Sequence, residues 1–265
     1  MRPAAEPIHA GLRSMYGRQD FGLRNFPNRP MIVGKGARGE PLSIFDFPES
    51  ARMLQKLAKV VGIDLAGSEK RNTGFCRLEG NHAEVSVLHT DHEILQAFGE
   101  GVRVAAIDAP LSLPRGRCCL RDNCPCMGKA HFRVCDLELR AMKIKFFPIT
   151  LGPMRQLTLR GLGLKEKLER RGVQVFETYP GAAQDLWGIP RQKDLEGLKR
   201  GLEQFKVKGN WRRPGVTKDE LDALTCALIA RDYLRGKTMT IGDPQEGLMV
   251  LPPKRFEERG SRPEK

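Results

Sequence analysis

The chain has 265 residues, enough for one large domain or two small ones. Hydrophobic residues make up 40% of it and charged residues 29%, ordinary for a globular protein, and no apolar run approaches the roughly 20 residues of a membrane span. The 45 Lys and Arg outnumber the 32 Asp and Glu, for a formal net charge of +13, which favours a polyanion such as nucleic acid as partner, the alternative being a basic surface that is merely solvated.

The first residues lack the continuous apolar core of a secretory signal. Residues 1–55 are rich in Arg, Gly and Pro without sustained periodicity and read as a loosely ordered leader. Residues 59–64, KVVGID, form a near-continuous apolar run and predict a buried strand. A turn-rich loop over 67–74 leads into strands at 75–78 and 84–89, the rest of a meander. Residues 91–99 predict a short helix ended by Gly99, and 102–108, VRVAAID, a second buried strand stopped by Pro110. A cysteine-rich insert occupies about 115–136. Residues 153–171 have the leucine spacing of an amphipathic helix, although Gly161 and Gly163 weaken it, and 173–178 predict a strand halted by Pro180. T-K-D-E at 217–220 is a capping box opening a last helix through 221–234, with Gly236 as its stop. Ala223, Cys226, Ala227 and Ala230 recur along that helix at three- and four-residue spacing, so it can press closely onto a sheet. The pattern predicts one α/β domain over 56–252 and a charged tail over 253–265.

Asp64 and Asp108 each end an apolar strand, where a carboxylate is costly unless it meets a cation or a partner. A helix lies between the two strands, so a right-handed crossover makes them parallel and brings both acids to one sheet edge, where open α/β sheets bind ligands. Glu177 closes VQVFE in the same manner, and Asp219 and Asp222 share a face of the last helix. Several carboxylates at one edge are the oxygen ligands that hard divalent cations take. Each acid also has a plainer role open to it: turn former for the strand-end Asp, dipole partner for Asp219, ion pair with an arginine for Glu177.

G-I-D-L-A-G-S at 62–68, A-I-D-A-P at 106–110, E-T-Y-P-G at 177–181 and D-E-L-D-A-L at 219–224, with G-D-P-Q-E-G at 242–247, resemble the domain of unknown function 429 family, regarded as nucleases with an RNase H-like fold. The order of acids is also similar to that of bacterial Holliday-junction resolvases. The resemblance implies a central five-stranded mixed sheet with helices on both faces. It carries over Asp64 as first-strand metal ligand, Asp108 as fourth-strand acid, Asp219 and Asp222 as helix acids, and Glu177 as a further acid. It further implies Mg²⁺ or Mn²⁺ and hydrolysis of DNA or RNA phosphodiesters. The basic surplus then holds the backbone, with Lys70 and Arg71 in the first hairpin loop and Lys206, Lys208, Arg212 and Arg213 before the last helix as candidates. Trp211 either stacks on a base or packs in the core.

The insert offers Cys118, Cys119, Cys124, Cys126, His131 and Cys135, more than the four soft ligands of a structural Zn²⁺. An iron–sulfur cluster also takes thiolates, but the spacing matches no ferredoxin pattern. C-P-C is tighter than the usual C-x₂-C knuckle, and Cys135 lies in R-x-C-D-x-x-L-R, which can serve the main site instead. Cys76 and Cys226 read as core residues. Clustered thiols of this kind point to a reducing, cytoplasmic setting. Two other classes share parts of the pattern. Actin-like kinases also open on a G-I-D strand, but need two such domains; a nucleic-acid-binding scaffold keeps the fold without turnover.

Overall fold

The computed structural model describes residues 58–121, 130–191 and 193–253, so the leader and charged tail lie outside it, as do Cys124 and Cys126. The predicted meander forms as β1 (Lys59–Asp64), β2 (Thr73–Glu79) and β3 (His82–Leu88), antiparallel neighbours in that order. Helix α1 (Asp91–Ala97) follows. Its Thr90 side chain accepts from the Glu93 amide while Glu93 reaches back, a capping box that fixes the helix start. The chain then returns as β4 (Val102–Asp108), parallel to β1 with Ile63 opposite Ile107 and Asp64 opposite Asp108.

Beyond β4 come α2 (Val134–Ala141) and α3 (Gly152–Glu169). Gly161 is what lets α3 lie close: a Cβ there would stand 3.0 Å from the Ala109 Cβ. Strand β5 (Gln174–Glu177) pairs parallel with β4, and α4 (Pro180–Trp187) and α5 (Leu195–Leu202) follow it. Two-residue β6 (Lys208–Gly209) precedes α6 (Lys218–Leu234), and β7 (Met239–Asp243) and β8 (Gly247–Leu251) form a closing hairpin. The sheet is mixed and has eight strands in the order β6-β3-β2-β1-β4-β5-β8-β7. The sheet is therefore larger than the five strands expected: β3-β2-β1-β4-β5 run consecutively, with β6 added beside β3 and β8 and β7 beside β5.

Strand alternation divides the core. Val60, Cys76, Val85, Val104 and Ala106 face α6, while Val61, Ile63, Phe75, Ile107 and Val175 face α1 and α3. The last helix is buried nearly all round, as its small residues predict. It rests on β1 at Gly62, where an added Cβ would stand 2.1 Å from the Ala223 carbonyl oxygen. A third cluster joins Cys135 and Leu139 of α2 to Ile241, Met249 and Leu251 of the hairpin. Trp211 is fully buried, with the Arg212 guanidinium 4.8 Å from its ring centre, which assigns it to the core. Among the described residues, no helix is long and apolar enough to cross a membrane.

Candidate active site

Parity along β1 and β4 sets the site. Residues 60, 62 and 64 point to the α6 side, as do 104, 106 and 108, so the side chains of Asp64 and Asp108 emerge together beneath the start of α6. That start is fixed by the Thr217–Glu220 capping box, with Glu220 buried and held further by Arg213 at 2.6 Å. The first turn and a half therefore carries Asp219 and Asp222 to the ends of β1 and β4. Asp64, Asp108, Asp219 and Asp222 line one cleft of about 470 Å³.

The acids act on one another. Burial, then the charges of Asp108, Asp222 and Asp219, push the Asp64 carboxyl well above the usual carboxylate range, against the pull of Lys218. Burial, then Asp222 and Glu177, do the same to Asp108. Burial is also the main cause that lifts Asp222 to about 6, partly offset by a 2.6 Å hydrogen bond from Gln184 Nε2. Gln184 stands 3.3 Å from Thr225 Oγ1 as well, so one α4 amide fixes the rotamer of an α6 acid. The donors are hard carboxylate oxygens in a solvent-open cleft, and their excess negative charge suits a divalent cation. As the side chains stand, no group of three or more His, Cys, Asp or Glu among the described residues is arranged to hold a metal ion.

Glu177 does not line the cleft, although its charge reaches Asp108. It pairs across the parallel ladder with Ile107, one position before Asp108, and so points to the opposite face of the sheet. There it accepts from both Arg133 terminal nitrogens, at 2.5 and 2.7 Å, and from the Leu111 amide at 2.8 Å. Arg133 also bonds Asp136 at 2.9 Å, making a buried triad that ties α2 to the end of β5. The two carboxylates hold the Arg133 guanidinium well above its usual range although burial opposes the charge.

The cysteine-rich segment divides. Cys135 is fully buried in the α2–hairpin cluster, where burial raises its thiol. Cys118 is exposed and Cys119 half-buried, and His131 meets Thr150 through Nδ1 at 3.1 Å. Of the predicted segment, residues 134–136 form the first turn of α2.

The candidate phosphate contacts divide as well. Arg71 lines the cleft, with Lys70 beside it in the same loop. Lys208 pairs with His82, on the row of Glu79 and Lys59, five strand positions from Asp64 and at the other end of the sheet. Lys206 precedes it by two residues, in a left-handed turn. Arg212 pairs with Glu203 at 3.5 Å and Arg213 with Glu220. Sequence patterns did not single out two cations that do line the cleft, Lys218 and Arg191, nor the two partners Gln184 and Arg133. Lys218 carried a signal in its place between a cap and an acid; the others are set by tertiary packing.

No curated protein and no solved structure matches the sequence significantly. Residues 62–247 match the sequence family described as protein of unknown function DUF429, a span that begins at Gly62 within β1 and takes in every acid of the cleft, and the chain belongs to that family.

Proposed function

We propose that the cleft is the active site of a divalent-metal-dependent nuclease that hydrolyses phosphodiester bonds in DNA or RNA, and that the central strands are an RNase H-like core. The observation that carries this reading is the in-register pair Asp64 and Asp108 facing Asp222 in one cleft. The order β3-β2-β1-β4-β5, with only β2 reversed, supports the fold assignment.

Asp64, Asp108 and Asp222 are the residues that would hold Mg²⁺ or Mn²⁺, with Asp219 beside them. When bound, such a cation supplies Lewis acidity toward a phosphoryl oxygen and makes water a nucleophile near neutral pH. The protein's own part is positional and electrostatic. Gln184 holds the Asp222 carboxylate in one orientation. Arg71, Arg191 and Lys218 place positive charge on the cleft walls, where it attracts the nucleic-acid backbone. Asp64 and Asp108, whose carboxyls are raised, would have to give up their protons to hold a cation, so occupancy should fall on acidification.

Cleavage of single-stranded, duplex and branched DNA and RNA in Mg²⁺, in Mn²⁺ and in chelator tests the reading. Metal-dependent cleavage that Asp64→Asn abolishes is the expected result. A wild-type chain that binds nucleic acid yet cuts no substrate would instead make it a scaffold of the same fold. Equal cleavage by wild type and Asp64→Asn would assign the activity to a contaminant.

A further inference from the structure

The cleft has two chemically different walls. One is charged: the acids at the strand ends, with Arg71 and Lys218 beside them. The other is apolar and comes from the segment before α3 and from the first turns of α3, with Phe147, Leu151, Pro153, Met154 and Leu157. Phe147 is the most exposed large hydrophobic side chain of the described residues, at 69%, and Leu151 beside it is 45% exposed.

That exposure belongs to a segment anchored on both sides. Ile144 and Ile149 are buried, Tyr179 donates its hydroxyl to the Lys145 carbonyl at 2.8 Å, and Arg155 Nε donates to the Thr150 carbonyl at 2.7 Å. Phe146, the neighbour of Phe147, turns inward and meets Phe132 edge-on at 5.9 Å between ring centres. Phe147 is thus held out into the cleft by its surroundings. An apolar ring on a fixed support, in one cleft with cations and acids, matches a ligand that is flat and apolar in one part and anionic in another. An unpaired nucleotide has that form; in a duplex the base faces are covered by their neighbours and offer only edges in the grooves.

We infer that the cleft selects unpaired nucleotides, with a base stacked on Phe147 while its backbone phosphate lies toward Arg71, Lys218 and the carboxylates. This rests on the nuclease reading for the scissile phosphate, but the stacking itself is measurable without turnover. The substrate class that follows is a single strand, or the single-stranded flap or loop of a larger structure.

The experiment uses the full chain carrying Asp64→Asn in Mg²⁺, so that probes stay intact. Fluorescein-labelled oligothymidylate, oligouridylate, an abasic oligomer of equal length and a blunt duplex are titrated and followed by anisotropy. Adding Phe147→Ala should weaken binding of both single-stranded probes about tenfold, the loss of one base–aromatic stack. It should leave the abasic oligomer and the duplex unchanged. Phe147→Trp should restore binding, and its indole fluorescence should be quenched by the base-bearing strands only. Because Phe147 is exposed, the substitutions are expected to leave the thermal transition in place. Equal losses on all four probes, no loss on the single strands, or no single-strand binding at all would overturn the inference. In wild-type chain, duplex cleavage indifferent to Phe147→Ala would overturn it while leaving the nuclease reading intact. Base-dependent binding in a chain that never cleaves would do the opposite.

Discussion

Gly74 of β2 lies directly under the backbone of Asp219, and a Cβ added there would stand 1.9 Å from the Asp219 carbonyl oxygen. Gly74 is also the ladder partner of Asp64. One missing side chain therefore sets the distance between an acid on the sheet and an acid on the helix.

Gly74→Ala and Gly62→Ala should both be destabilising. Backbone atoms of α6 cannot yield as a side chain can, so the cost belongs in the upper part of the overpacking range of about 1–3 kcal/mol. Urea titrations measure it. Gly74→Ala should also weaken cation binding relative to Gly62→Ala, because it displaces the helix turn that carries Asp219. Equal cation affinity in the two variants would refute that difference.

The metal-free protein should lose stability as pH rises from about 4 to about 6. Asp222 titrates at about 6 when folded and near 3.8 otherwise. Between those values the folded chain binds more protons than the unfolded one, so the slope of unfolding free energy with pH is negative. The Asp222 share is on the order of 3 kcal/mol and is fully lost above pH 6. Other groups oppose it: Asp91, although burial raises it, is lowered overall by Arg160 and Lys167, and its contribution is lost as pH falls. The difference between wild type and Asp222→Asn across pH 4–7 isolates the effect, and added Mg²⁺ or Mn²⁺ should raise the thermal midpoint at pH 7 but not at pH 4.

Arg133→Met should cost about 3–5 kcal/mol in denaturant titration, because it leaves the Glu177 and Asp136 carboxylates buried without their cation. Pairing it with Glu177→Gln and Asp136→Asn should recover much of that loss. Failure of the triple variant to recover would mean that packing by the Arg133 stem, rather than charge, is what matters.

Much of the site was legible because short-range rules set it. An apolar run ended by an acid, with a crossover helix between two such runs, is enough to place Asp64 beside Asp108. The T-K-D-E box is enough to start α6 where its acids reach them. Glu177 was not legible in the same way. Its strand reads like the other two, yet the register of β5 on β4 is a tertiary property, and a shift of one residue sends a side chain to the other face. Lys208 shows the same limit: nearness in sequence to α6 says nothing about a two-residue strand that pairs at the far end of β3. No strand is predicted at 239–243 or 247–251, which pair as the closing hairpin.

Nucleic-acid affinity should follow position rather than local charge density. Arg71→Ala and Lys218→Ala should each reduce the slope of log affinity against log salt by about one, whereas Lys206→Ala and Lys208→Ala should leave it nearly unchanged. A larger effect from Lys208 than from Arg71 would move the binding surface to the opposite end of the sheet.

The short outer strands bear on how copies of this chain meet. A sheet with a bare edge invites another chain to add a strand. On one side β6 covers the start of β3 with a lysine and a glycine, and only glycine fits at 209, since a Cβ there would stand 1.8 Å from the Ala83 carbonyl oxygen. On the other side α2 packs on β7, and Glu138 accepts from the Gly242 amide at 3.2 Å. Each margin is thus partly occupied by the chain itself, which disfavours ribbon-like growth by strand addition.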